Sequence, residues 1–310
     1  MNAIVAASTQ NMSRVAWLDF RKNGIGGSDV AAACGLSKWK SPMALWLEKT
    51  GQIEPEAPGE AAYWGTVMEP IIREEFSSRN GMKVRQIHAI LQHRRFSFMF
   101  ANLDGLVTDP DRGEGIFEAK TAGAYASAEW ENGLPDEYAL QVQHYLAVTG
   151  LQFAYVAALI GGNRFIWRYI ERDQVLIDMM IQLESRFWHL VESNTPPSLD
   201  GSNASTDLLN RLYPKGKAEQ ITLPDETLAL ITSFEIAQAE ELAAGERKNQ
   251  MINQLKALLG ESETGVCSTR LVSWKNIRSE RLDSKALKAD HPDLFAQYTK
   301  TSEFRRFSIK

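Results

Sequence analysis

Residues 100–121 read FANLDGLVTDPDRGEGIFEAKT, and the interpretation of this stretch decides the fold. An apolar run ends at Leu103. The segment DPDRGEG then sets Pro110 and Gly113 where a tight turn needs them, and a second apolar run returns, so the pattern predicts a β-hairpin over 103–121. Period-2 geometry places Glu118 and Lys120 on one face of the returning strand and Phe117 and Ala119 on the other. If the two strands pair, Asp104 and Glu118 converge. Two carboxylates with the Ala119 carbonyl between Glu118 and Lys120 form an oxygen-donor set suited to Mg²⁺ or Mn²⁺. A lysine beside such an ion can orient a water or neutralise charge on a phosphoryl group. An edge hairpin with one solvated face has the same pattern, because a lone D…ExK is short enough to arise by chance.

Working outward, residues 64–78 carry Trp64, Met68, Ile71, Ile72 and Phe76 at helical spacing, with Glu69 at the edge of that apolar stripe. A third acid can therefore reach the hairpin, although Glu69 and Arg73 at i,i+4 also make a surface pair. The pattern predicts a helix over 136–149, stopped by Gly150, with Tyr138 and Gln141 on one face and Gln143 and His144 pointing elsewhere. In RKNGIGGSDV (21–30), Gly26 and Gly27 let the backbone approach something closely, and Ser28 begins a helix whose free N–H groups attract anions. Arg21 stands seven residues earlier, able to clamp the same anion. Taken singly, these are a turn, an N-cap and a surface arginine.

Other chemistries are absent. GIGGSD is neither GxGxxG nor a Walker A sequence, and there is no GxSxG or HExxH. Cys34 and Cys267 lie far apart without a CxxC, which argues against disulfide frameworks and structural zinc. No stretch approaches the roughly 18 apolar residues of a membrane helix, and the first residues lack the basic region of a secretory signal, so no membrane association and a cytoplasmic location are expected. The chain has 310 residues, 44% of them hydrophobic and 24% charged, as in ordinary globular proteins. The net charge of −5 argues against a general nucleic-acid coat. Charge is nevertheless segregated: residues 77–103 hold Arg79, Lys83, Arg85, Arg94 and Arg95 with no acid, whereas residues 51–75 hold six acids against Arg73 alone.

Upstream, helices are expected at 28–34 and from Ser41 (N-cap) and Pro42 to Gly51. Strands are expected at 83–92 and 95–103. Past 150, FAYVAALI and RFIWRYIE flank GGN as another hairpin, and 173–193 is an amphipathic helix. The linker NTPPSLDGSNAST (194–206) suggests a boundary near 200. Beyond it come a long helix or helical hairpin over 225–259, a strand pattern over 266–278 and a short helix near 284–297. This order gives a mixed sheet with helices on its faces.

The combination of Arg21, GIGGSDVAAACGLS, SPMALWLEKTG, WGTVMEP, LDG, FEAK and YALQVQHYLAVTG resembles the YqaJ-type viral recombinase family. These are the phage lambda exonuclease-like members of the PD-(D/E)XK nuclease superfamily. The likeness covers about residues 14–200 and is most specific in GIGGSDVA and SPxxLWxxKTG. The tail HPDLFAQYTKTSEFRRFSIK also looks like tails of some members. The resemblance implies an α/β fold with a PD-(D/E)XK nuclease core, a central mixed β-sheet flanked by helices, over residues 1–200. Residues 201–310 would be a mainly helical accessory or assembly region.

By the same resemblance, Asp104, Glu118 and the Ala119 carbonyl are metal ligands, Lys120 is the catalytic lysine, and Glu69 supports the metal waters. Tyr138 and Gln141 match the family's YxxQ pair. Arg21 and Ser28 keep the offset of the residues that bind a terminal 5′-phosphate. Asn102 stands where lambda's enzyme has a serine near that phosphate, and the turn between Asp104 and Glu118 is longer here. The implied activity is a Mg²⁺-dependent 5′-to-3′ exonuclease on double-stranded DNA ends, with two ions and Mn²⁺ as a substitute. Its 3′ overhangs would pass to a single-strand annealing protein of the Bet, RecT or Erf type in a phage or prophage setting. A homo-oligomeric ring, a trimer by preference, would enclose the DNA. The rival readings are an endonuclease of the same superfamily and a non-catalytic DNA-end-binding module.

Overall fold

The computed structural model describes residues 1–57, 59–131 and 133–309. It divides into two compact units, Met1–Leu212 and Tyr213–Lys310. The first begins with strand β1 (Ala3–Ser8), helix α1 (Arg14–Arg21), the two-residue strand β2 (Ile25–Gly26), helix α2 (Val30–Ala33) and helix α3 (Pro42–Lys49). Next come α4 (Glu60–Asn80) and strands β3 (Lys83–Arg85), β4 (Ala89–His93), β5 (Met99–Ala101), β6 (Gly105–Asp109) and β7 (Gly113–Ala122). Helices α5 (Ser127–Glu131) and α6 (Asp136–Thr149), strands β8 (Phe153–Ile160) and β9 (Arg164–Glu171), and helices α7 (Gln174–Glu192) and α8 (Asn203–Leu212) complete it.

A five-stranded sheet runs in the order β3-β6-β7-β8-β9. The β7–β8 pair is parallel and the others antiparallel, the mixed sheet expected from the residue pattern. A second sheet runs β1-β4-β5-β2. Alternation along β7 sorts its side chains between two layers. Phe117 and Ala119 pack toward α4, where the Phe76 ring centroid lies 5.1 Å from Phe117 and 5.3 Å from Tyr155. Ile116 packs on the opposite side with Val142 and Leu146 of α6. Phe76 is fully buried, and its truncation to Ala would cost about 3–5 kcal/mol.

Several boundaries differ from the sequence expectation, each for a local reason. The hairpin turn is as read, with Gly113 at φ +84°. The strands expected at 83–92 and 95–103 are three, in two different sheets. His93 Nδ1 accepts from the Arg95 and Phe96 amides and turns the chain, so β5 begins only at Met99. Trp64 and Ile71 are exposed, leaving Ile72 and Phe76 as the buried residues of α4. The helix expected to start at Ser28 is a 3-10 turn over Gly27–Asp29 followed by the single turn of α2. A strand at Ala3–Ser8 and a helix at Arg14–Arg21 were not anticipated. The first unit runs past the 194–206 linker because α8 buries Ala204, Ser205 and Leu208.

The second unit holds the continuous helix α9 (Thr227–Leu259), which passes through Gly245 unbroken, and the hairpin β10 (Thr264–Cys267) and β11 (Arg270–Ser273). Its last helices, α10 (Ser284–Asp290) and α11 (Pro292–Tyr298), divide at His291–Pro292. A proline there cannot continue the preceding helix.

Candidate active site

The β6–β7 hairpin builds one half of the site. Gly105 pairs with Phe117, so Asp104, just before β6, lies across from Glu118. Asp104 Oδ2 accepts from the Ala119 amide at 2.8 Å. Glu118 and Lys120 share the α6 side of β7, where Lys120 Nζ donates to Glu118 Oε1 at 2.6 Å. Gln141 on α6 closes this arrangement: its Nε2 donates to Glu118 Oε1 at 2.7 Å and to Tyr145 Oη at 3.0 Å, and its Oε1 accepts from Lys120 at 3.1 Å. The Tyr138 ring lies 5.0 Å from Lys120 Nζ. From the α4 side, Arg73 donates both to Glu69 at 3.2 Å and to the Asp104 carbonyl at 3.3 Å. The Glu69–Arg73 pair is thus present, and it sits at the hairpin rather than out in solvent.

The acids crowd one another. Burial, then the Asp104 charge, pushes Glu118 up to about 8, with Lys120 opposing. Burial and Asp104 likewise push Glu69 up to about 7 against the pull of Arg73. Burial raises Asp104 as well. Glu118 is 2% exposed, and its Oε2 has no hydrogen-bond partner among the described residues. A pair of facing carboxylates with an unsatisfied buried oxygen is short of positive charge, and the all-oxygen donor set fits a hard divalent ion. Among the described residues no group of three or more His, Cys, Asp or Glu side chains gathers as for a metal.

The other half of the site comes from the GIGGSD turn. Arg21 Nη2 donates to Ser28 Oγ at 2.9 Å and to Asp29 Oδ1 at 2.6 Å, and the guanidinium lies 4.8 Å from the Trp17 ring. Since the Ser28 hydroxyl accepts that bond, its proton remains available to an anion. Gly27 explains the close approach expected of the turn: a Cβ there would fall 2.3 Å from the Tyr145 ring and 3.0 Å from Gln141 Cγ. Gly26 meets nothing so near. The Gly26 amide is bonded to Asp29 Oδ2 at 3.2 Å and is not free for an anion.

All ten residues singled out from the sequence line a single cleft of about 460 Å³. Arg21 joins it from the end of α1, Ser28 from the turn after β2 and the exposed Asn102 from the end of β5, and the hairpin, α4 and α6 supply the rest. Gln143 and His144 do face elsewhere: Gln143 bonds to Glu171 and Asp173, and His144 to Glu184 and the Phe100 carbonyl. The sequence reading passed over Asp29, Lys49 and Tyr145. Lys49 had a detectable signal, since it follows Leu45 and Trp46 at i+4 and i+3 and so places a base on a buried stripe that demands a partner.

The model of the YqaJ-like viral recombinase domain matches residues 16–152. The uncharacterized protein YqaJ of Bacillus subtilis (strain 168) is 40% identical over 314 residues, covering 99% of this chain and 98% of its own. Among solved structures, an alkaline exonuclease (LHK-Exo) from Laribacter hongkongensis is 24% identical over 58% of this chain and 93% of its own, with a TM-score of 0.49. A phage related exonuclease from Haemophilus somnus 129PT is 12% identical over 57% of this chain and 97% of its own, with a TM-score of 0.43.

Proposed function

The chain belongs to the YqaJ-like viral recombinase family, and from that premise we propose that it is a Mg²⁺-dependent exonuclease digesting one strand of linear double-stranded DNA from its 5′ end. The observation that carries the reading is the two-ended cleft, with a carboxylate pair and lysine at one end and an arginine–serine pair at the other. Two carboxylates short of a cation suit a phosphodiester under attack. Arg21 and Ser28 suit a terminal phosphate, and a terminal phosphate held there sets polarity.

In this mechanism Asp104 and Glu118 would hold the divalent ions, with the Ala119 carbonyl as a further donor and Glu69 as a supporting acid. Bound Mg²⁺, with Mn²⁺ as a substitute, supplies a Lewis acid and a water acidic enough to attack near neutral pH. Lys120, held by Glu118 and Gln141, would orient the attacking water and offset charge on the phosphoryl group. Tyr138 packs beneath the ammonium. Breaking the bond from phosphorus to the 3′ oxygen releases a 5′-mononucleotide and leaves a new 5′-phosphate, which is again a ligand for Arg21 and Ser28. Asn102 lines the cleft between these groups.

A 3′ single strand produced this way is a substrate for a single-strand annealing partner of a phage-type recombination system. Enclosure of duplex by a homo-oligomeric ring, a trimer by preference, would hold an acidic chain on DNA. No helix of the described residues is long and apolar enough to cross a membrane, and the proposed DNA substrate is met in the cytoplasm of a bacterial host. The test uses linear duplex labelled separately at each 5′ and 3′ end, with and without Mg²⁺. Release of the 5′ label as mononucleotide, dependent on Mg²⁺ and with closed circular duplex left intact, is expected. Earlier loss of the 3′ label, or cutting of closed circles, overturns the reading.

A further inference from the structure

Asp29 is 2% exposed and sits between two cations. Its Oδ1 accepts from Arg21 at 2.6 Å, and its Oδ2 accepts from Lys49 Nζ at 2.7 Å. Lys49, 8% exposed, also donates to the Arg21 carbonyl oxygen at 2.7 Å. The same two side chains therefore grip Arg21 at its backbone and at its guanidinium. An arginine and an aspartate alone would be neutral, but the added ammonium leaves the three-residue cluster one positive charge in excess. The adjoining Lys40–Glu48 pair, at 2.6 Å, is neutral and does not cancel that excess.

Burial lowers the Lys49 ammonium, with Asp29 pushing back, and Asp29 raises Arg21. Unbalanced charge away from bulk water is costly. An anion in the cleft relieves it, because Nε and Nη1 of Arg21 carry no hydrogen bond among the described residues and Ser28 retains its proton.

We propose that Lys49 is a specificity-determining positioning residue, whose buried ammonium keeps the Arg21–Asp29 pair net positive and so sets the affinity of Arg21 for a dianionic terminal phosphate. This rests on the reading of Arg21 and Ser28 as a 5′-phosphate pocket.

The experiment measures kcat and KM for the full chain on duplexes differing only in a 5′-phosphate or a 5′-hydroxyl. Lys49→Gln retains a donor for Asp29 and the Arg21 carbonyl but removes the charge. Its ratio of kcat/KM on phosphorylated over hydroxyl ends is expected to fall about tenfold, mainly through KM, while Lys49→Arg stays within about threefold of the unsubstituted protein. A wild-type ratio in Lys49→Gln, with the ratio lost in Arg21→Ala, overturns the role of Lys49 and leaves the phosphate pocket standing. A wild-type ratio in Arg21→Ala removes the pocket and this inference together. Should Lys49→Gln fail to fold, the double variant Asp29→Asn, Lys49→Met decides. It removes both buried charges and leaves Arg21 positive, so the ratio should stay within about threefold of wild type, and its loss overturns the proposal.

Discussion

Lys120 Nζ lies 2.6 Å from Glu118 Oε1, and Gln141 bonds to both side chains, so the ammonium has little freedom of its own. A lysine held this way acts at a fixed point of the cleft. Lys120→Ala should lower the rate of nucleotide release by about 10²-fold or more, the scale for losing one positioned transition-state stabiliser, while duplex binding is retained. Single-turnover rates alongside binding in EDTA check this. Unchanged turnover rejects the lysine's role.

Burial raises the proton affinity of both Asp104 and Glu118, the Asp104 charge raises Glu118 further, and Lys120 offsets neither fully. Mn²⁺ should therefore raise the melting temperature of the unsubstituted protein, by the equivalent of about 2.7 kcal/mol at a hundredfold excess over Kd. Asp104→Asn and Glu118→Gln should abolish that shift, together with activity. In EDTA, Asp104→Asn should melt at or above wild type, since it removes a buried repulsion. A full Mn²⁺ shift in both variants would place the ion elsewhere.

The site was legible where chemistry follows a short period. Glu118, Lys120, Phe117 and Ala119 divide between the two faces of β7 as a period of two requires, and Ser41, Pro42 and Gly51 bound α3 as caps should. Asp29 and Lys49 escaped notice because a buried charge is written with the same letters as a surface one, and only the fold brings each to its partner. The strand Ala3–Ser8 was missed because its sequence, AIVAAS, carries no alternation, and its pairing with Ala89–His93 is set some eighty residues later. Trp64 and Ile71 extend the apolar stripe of α4 in sequence, yet both are exposed, Ile71 directly beside the buried Ile72, so the buried face of α4 is narrower than its apolar pattern.

Gly27 supports the contact between the two halves of the cleft. In Gly27→Ala the new Cβ would fall 2.3 Å from the Tyr145 ring, which must shift, and 3.0 Å from Gln141 Cγ. Overpacking of this kind costs about 1–3 kcal/mol. Activity should fall further than stability alone explains, because Gln141 also positions Lys120 and Glu118. Urea unfolding and kcat measured on the same preparation separate the two effects. A variant that loses stability but keeps kcat would mean that the turn only packs against α6.

His144 is fully buried between two acceptors, Glu184 Oε1 at 3.1 Å and the Phe100 carbonyl at 2.9 Å. Two acceptors require two N–H donors, which favours the imidazolium. Burial opposes that charge, but Glu184 and the Phe100 carbonyl outweigh it, and the histidine is raised above its ordinary value of 6.5. A raised histidine contributes stability that is complete below the unfolded value and declines as the pH climbs from there through the folded value. The melting-temperature penalty of His144→Gln should therefore be larger at pH 6 than at pH 9. A penalty independent of pH across that range would mean that the ring is neutral in the native state.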